Sequence, residues 1–315
     1  MLKHYLQYLE GGNVFRETDR ATVPIKKQYI DSTVKYFTEA LKKVFPKVKF
    51  EFSYLGSTGQ KDVSGDIDLL FDVKKVIENE TPKLNDWDFS KDEYQQLHNK
   101  FVKRGKTATP HQLQLRTMLK LIGDKFQANN NEIQVNAKSI GSSELHFSVP
   151  QMDKNRKLAD NVQIDLNVGK PEWLNFSYSS LLKPESNLKG LHKTQLVVHL
   201  FANKGYVFKH SSGIFHKATN KQVAQTPDEA IALLNKLYGF HLDENNSKSY
   251  SGIMQQIHSL PKNEQHKVFD IYLKTLDSTR CDIPEDLQDY WKANKERLGL
   301  TGTFLPDDSK LKDHV

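Results

Sequence analysis

The chain has 315 residues, 37% hydrophobic and 27% charged, with a formal net charge of +6. That length allows two domains and a sizeable core. Its single cysteine, Cys281, excludes an intramolecular disulfide and a cysteine zinc site. No apolar stretch reaches the length of a membrane span, and the first residues lack the apolar region of a secretory signal, so a cytoplasmic protein is expected. The basic balance favours a polyanionic partner such as nucleic acid or nucleotide phosphates.

In chain order, residues 21–45 place Ile25, Tyr29, Val34, Phe37, Leu41 and Val44 near helical spacing, which predicts one long amphipathic helix. "KVKFEFSYL" alternates and predicts a strand ending at Gly56, and "VSGDIDLLFDV" predicts a second. Residues 79–108 are polar and give no clear assignment. Thr109 and Pro110 then read as the N-cap and first residue of a helix. "NEIQVNA", "SELHFSVPQ" and "NVQIDLNVG" alternate as strands, and the basic stretch "DKNRKLAD" reads as an exposed connection between the last two. From about Leu181 the pattern turns helical: a helix ends at Gly205, a short hairpin follows, and Thr226, Pro227 and Glu229 open another helix with a capping box. Two more helices are predicted near 261–277 and 284–298, before a polar tail.

Two acids interrupt the apolar run of the second strand. Side chains alternate across a strand, so Ile67, Leu69 and Phe71 share one face while Asp66 and Asp68 share the other. Covering that second face buries two like charges, which is costly unless something positive neutralises them. A solvated edge face avoids the cost, as does a hard divalent cation with oxygen ligands. Three neighbours favour the cation. Gly56, Ser57 and Thr58 follow a strand, where glycine lets the backbone approach a phosphate and the serine hydroxyl holds its oxygens. Val63-Ser64-Gly65 makes a tight entry to Asp66. Asp165 repeats the layout, with Val162, Ile164, Leu166 and Val168 on one face and Gln163, Asp165 and Asn167 on the other. If the two strands are adjacent, three aspartates converge.

A G-S pair, a spacer, two acids alternating with apolar residues, and a later single acid between apolar residues together resemble the signature of the DNA polymerase beta-like nucleotidyltransferase superfamily. "GSTGQKDVSGDIDLLF" carries most of the match. The resemblance implies an α/β (α+β) palm with a small mixed sheet, plus a C-terminal helical domain. It also implies a Mg²⁺-dependent (or Mn²⁺-dependent) transfer of a nucleoside monophosphate from an NTP to a hydroxyl, with release of pyrophosphate. On it, Asp66 and Asp68 are metal ligands, and Asp165 completes the site and helps deprotonate the attacking hydroxyl. Gly56 and Ser57 hold the β- and γ-phosphates. The long separation of Asp68 from Asp165 departs from the smallest members and implies an insertion around 79–108 and the helix after it.

Members of that superfamily often place a lysine from the helix after the third acid on the triphosphate. Lys183, Lys189 and Lys193 are the candidates, and the last two share a helical face, which a solvated basic surface also explains. Tyr178, with Trp173 and Phe176, supplies aromatic rings for a base, and packing between domains explains them equally. Lys100 to Lys106, with Phe101 among the lysines, and Asp153 to Asp160 are candidate RNA contacts. The scattered histidines pair with no cysteine and suggest no zinc site, and no P-loop, dinucleotide-binding or serine-hydrolase motif occurs.

The expectation is therefore a catalytic palm with an N-terminal helix over 1–180, a helical domain over 181–299 and a polar tail over 300–315. The expected acceptor is an RNA 3′ end, perhaps that of a tRNA. A second-messenger synthase joining nucleotides, nucleotidylation of a protein or small molecule, and a non-enzymatic nucleotide- or RNA-binding module are the alternatives.

Overall fold

The structure, a computed structural model, describes residues 14–15, 18–60, 62–104, 108–136, 143–179, 191–279 and 281–302. Lys183, Lys189 and the tail after 302 lie outside them. The fold is mixed α/β, with a five-stranded mixed sheet and helices that precede a largely helical C-terminal part.

The first strand, β1 (Ile25–Lys26), pairs antiparallel with β3 (Val63–Ser64). The long helix expected over 21–45 therefore begins only at Lys27, because Ile25 and Lys26 are spent on strand pairing. This helix, α1 (Lys27–Val44), buries Ile30, Thr33, Phe37, Ala40 and Leu41 along one stripe. The strand expected before Gly56 shrinks to β2 (Ser53–Tyr54). Upstream of it Phe50 stacks on Phe71, Phe52 meets Phe71 at a tilt and Phe50 meets Trp87 edge-on, so their rings join an aromatic cluster. The second acidic strand is β4 (Ile67–Asp72), preceded by a bend at Asp66.

The unassigned polar stretch folds into a hairpin, β5 (Ile77–Glu78) and β6 (Thr81–Pro82), and two helices, α2 (Leu84–Trp87) and α3 (Lys91–Arg104). Then comes α4 (Pro110–Asn129), opened as expected by a capping box of Thr109 and Gln112. Strands β7 (Gln134–Val135), β8 (Glu144–Asp153) and β9 (Arg156–Gly169) complete the sheet. The basic stretch 153–160 is not a connection. A tight turn with Lys154 at φ 55° joins β8 to β9, and Arg156 to Asp160 already belong to the strand.

The sheet order is β2-β4-β9-β8-β7, and β4 and β9 run parallel while the other neighbours are antiparallel. One face carries Ile67, Leu69, Phe71, Leu145, Phe147, Val149, Ile164, Leu166 and Val168. All are buried in one core with Phe37 of α1 and Met118, Ile122 and Phe126 of α4. The other face is polar.

A short helix, α5 (Pro171–Ser177), leaves the sheet, and α6 (Leu191–Asn203) follows. The expected hairpin is a three-stranded sheet, β10 (Tyr206–Lys209), β11 (Gly213–His216) and β12 (Gln222–Ala224). Helix α7 (Pro227–Tyr238) carries the capping box of Thr226 and Glu229. An unanticipated helix, α8 (Tyr250–His258), precedes α9 (Lys262–Thr279) and α10 (Gln288–Leu298). These elements share a second core, which Trp173 and Phe176 of α5 also enter. Leu174 on the same short helix packs instead on Leu55 and Leu70 beside the polar face. No helix among the described residues is long and apolar enough to cross a membrane.

Candidate active site

Strand pairing draws the acids together. Asp68 on β4 lies directly opposite Asp165 on β9, and His146 on β8 lies opposite Asp165 from the other side. Residues opposite one another in a sheet point to the same face, so Asp68, Asp165 and His146 form one row across three strands. The next row brings Glu144 opposite Asn167. Asp66 sits at the bend immediately before β4, one alternation from Asp68.

Both ends of the polar face are covered. Toward Gln163 and Ser148, the segment before β1 crosses it: the Val14 amide donates to Gln163 Oε1 at 3.0 Å and Ser148 Oγ donates to the Arg20 carbonyl at 2.7 Å. Toward Leu70, α5 covers it through Leu174. The acidic row lies between these covers, half-buried.

Hydrogen bonds order the row. His146 Nδ1 is 2.7 Å from Asp165 Oδ1, and Gln163 Nε2 donates to both Asp165 oxygens at 2.9 and 3.1 Å. Asn167 Nδ2 donates to Asp68 Oδ1 at 3.4 Å, and the Tyr178 hydroxyl lies 2.8 Å from Asn167 Oδ1 and 3.2 Å from Glu144 Oε1.

The loop carrying Gly56 and Ser57 is tied to the same strand. Asp68 N–H donates to Thr58 Oγ1 at 2.9 Å and Leu55 N–H to the Asp68 carbonyl at 3.0 Å. Gly56 takes the left-handed conformation at φ 59°, and a Cβ there would stand 3.4 Å from Asp68 Oδ2. Backbone thus abuts carboxylate, an approach that glycine permits. The amides of Thr58, Gly59 and Gln60 are used within the turn, whereas those of Gly56 and Ser57 make no hydrogen bond among the described residues. Two N–H groups beside a carboxylate cluster suit the oxygens of a phosphate.

Electrostatically the row is strained. Burial, then repulsion from Asp66, Asp165 and Glu144, holds the Asp68 carboxyl well above the usual carboxylate range. Burial and then Asp165 push Asp66 up to about 7. Glu144 is raised by burial first. For His146, burial opposes the charged form, but the hydrogen bond and charge of Asp165, with Glu144 and Asp66 beyond, prevail and raise it. Among the described residues, His146 is the one basic side chain at ion-pair distance from Asp165 and Glu144. One imidazole against four acids leaves a negative excess.

That donor set fits a hard divalent cation: carboxylate oxygens from two adjacent strands, poorly solvated and mutually repelling. As the side chains stand, no group of three His, Cys, Asp or Glu among the described residues encloses an ion-sized space. The Asp165 carboxylate is turned to Gln163 and His146.

The other expected residues fall in different places. Trp173 and Phe176 are buried in the second core, and Trp173 Nε1 donates to the Lys209 carbonyl at 3.0 Å, so of the three aromatics Tyr178 reaches the acids. Lys193 is buried at 3% exposure, with Nζ donating to the Phe176 carbonyl at 2.7 Å and Ser179 Oγ at 2.8 Å. Burial pulls its ammonium down to about 7. The Arg116 guanidinium covers the Phe101 ring at 4.6 Å. Sequence reasoning missed Glu144 and His146, although the alternation of "SELHFSVPQ" already set both on the polar face of their strand.

No family model matches this chain, and no curated protein matches it. Among solved structures, a ternary gap complex of Leishmania infantum polymerase beta is 16% identical, at a TM-score of 0.33, over 96% of this chain and 79% of that one. A ternary P/T complex of the same enzyme is 14% identical, also at 0.33, over 85% and 88% respectively.

Proposed function

We propose that the protein is a Mg²⁺-dependent nucleotidyltransferase that moves a nucleoside monophosphate from an NTP to a hydroxyl acceptor, releasing pyrophosphate. The observation that carries this reading is the direct cross-strand pairing of Asp68 with Asp165, with Asp66 at the strand's entry and the glycine turn at Gly56 against the Asp68 carboxylate. Asp66, Asp68 and Asp165 hold the cation. Mg²⁺, when bound, neutralises charge on the triphosphate and lowers the pKa of the attacking hydroxyl. The Gly56 and Ser57 amides and the Ser57 hydroxyl orient the β- and γ-phosphates. Asp165 accepts the acceptor's proton, as a group held by two donors and aimed by them can do. Loss of the negative excess on cation binding favours the loaded state of a site that is costly when empty.

The acceptor we infer is an RNA 3′ end, supported by the net charge of +6 and by the lysines of α3. The test is incubation of the pure protein with Mg²⁺ and each α-labelled NTP, with and without total RNA, beside Asp66→Ala. Label on RNA with wild type only supports the whole reading. Label in short oligonucleotides without RNA keeps the chemistry and replaces the acceptor. Failure to bind either Mg²⁺ or any NTP overturns it.

A further inference from the structure

We infer that His146 is a positioning residue for the acidic site, fixing the rotation of the Asp165 carboxylate so that Oδ2 is left free to serve as an oxygen ligand. The inference rests on the proposed reading of the three aspartates and adds a residue to it.

The argument begins with register. His146 is the direct cross-strand neighbour of Asp165, so the contact is built into the β8–β9 ladder. Its Nδ1 lies 2.7 Å from Asp165 Oδ1, within the range of a charge-assisted bond. A carboxylate oxygen accepts, so Nδ1 is the donor in this contact and carries the hydrogen. Gln163 Nε2 donates to the same Oδ1 at 2.9 Å and to Oδ2 at 3.1 Å. Oδ1 therefore takes two donors and Oδ2 one, which fixes the carboxylate's rotation and leaves Oδ2 with the greater free capacity.

The imidazole's far side supports the same role. Nε2 is 4.0 Å from Glu144 Oε2, and the side chains of His146 and Asp165 are each 13% exposed. Glu144 in turn is held by the Tyr178 hydroxyl, which also contacts Asn167, the donor to Asp68. A chain of side chains thus runs from His146 through Glu144, Tyr178 and Asn167 back to Asp68. Groups that orient ligating side chains in this way influence ion affinity as well as turnover, typically by tenfold or more.

Two substitutions separate positioning from mere space-filling. Asparagine places an N–H donor near the Nδ1 position, whereas glutamine places its amide nearer Nε2. Mn²⁺ binding, followed by the loss of the free-ion electron paramagnetic resonance signal, is the readout besides activity. His146→Ala is expected to weaken Mn²⁺ binding about tenfold, His146→Asn to restore it to within about twofold of wild type, and His146→Gln to resemble the alanine variant. Nucleotidyl transfer is expected to fall chiefly in kcat, with the KM for NTP little changed. Circular dichroism and thermal melting confirm that each variant is folded. Wild-type binding that His146→Ala leaves intact overturns this inference while sparing the proposed reaction. Equal rescue by Asn and Gln also overturns it, since the donor position then has no importance. Absence of Mn²⁺ binding by the wild-type protein overturns the reading of the acids and this inference together.

Discussion

Asp68 is held in a place that suits a ligand and ill suits an isolated carboxylate. Its own burial and three acidic neighbours disfavour its charge. Asp68→Asn keeps the shape and the contact with Asn167 while removing one negative charge from the cluster. We expect the variant without divalent ions to melt at or above the wild-type temperature, and to lose both Mg²⁺-induced stabilisation and turnover. A clear drop in melting temperature would show the carboxylate to be part of the fold's own support. A second residue-scale expectation concerns His199, buried at 6% exposure on α6, with Nε2 lacking a partner among the described residues. Burial pulls this imidazole down to about 4. The unfolded chain binds its proton near 6.5, so between about 6.5 and 4 the unfolded state holds more protons and stability falls as pH falls. The His199 contribution is about 3 kcal/mol at most. Urea denaturation between pH 7.5 and 4.5 should show the stability of His199→Leu relative to wild type rising as the pH falls. The placement of single residues was legible where alternation sufficed, as for Asp68 and Asp165 on the polar faces of their strands. The contact of His146 with Asp165 was hidden because it depends on which strand pairs with which, and at what register.

Between residue and molecule, the elements that capping chemistry announces were the readable ones. Thr109 with Gln112 and Thr226 with Glu229 each satisfy helix-end amides, and both helices begin where these residues stand. Ser90 and Glu93 form the same reciprocal pair before α3, yet that helix carries so few apolar residues that periodicity gave no support. Helix α8 is short, and its Ser249 cap lies in a polar run. The strand before Gly56 read too long because Phe50 and Phe52 alternate like strand residues while packing as an aromatic cluster. Helix α5 is the element on which the site leans. Gly169, at the end of β9, lies so close to it that a Cβ there would stand 3.0 Å from Leu174 Cγ. Gly169→Ala should push α5 off Leu55 and Leu70, which carry the loop and the strand of the acids. We expect turnover to drop at least tenfold, the scale on which small misplacements of reacting groups act, with only a modest change in melting temperature. Equal losses in both would mean that α5 supports the fold as a whole.

Over the whole molecule, the apolar side chains form two large cores, one ending at Val168 and the other beginning at Trp173. We propose these as the cores of the two domains expected from the shift in pattern near residue 180, with α5 contributing to the second core through Trp173 and Phe176 and to the sheet through Leu174. Calorimetry provides the check. Two domains coupled through one short helix should give a calorimetric enthalpy larger than the van't Hoff enthalpy, and Leu174→Ala should separate the transitions further. A single two-state transition in both proteins would mean one cooperative unit. The change from sheet to helices was readable because strand alternation gives way to helical spacing. The split of α5 between clusters was not, since Pro171 to Ser177 is too short to reveal which of them its three large apolar residues enter.

The parallel pairing of β4 with β9 also has a consequence in time. Asp68 and Asn167, in contact in the finished sheet, are 99 positions apart along the chain. Joining strands so distant closes a long loop before any contact rewards it, which makes such pairings late events. Helices α1, α4 and α9 depend on neighbours in sequence and can form well before. In refolding from urea, helical circular dichroism should therefore recover ahead of Mn²⁺ binding, and ion binding should return only with the slowest major phase. A chain still emerging from the ribosome possesses Asp66 and Asp68 long before it possesses Asp165, so the third acid joins the cluster only once about half of the 315 residues have been made.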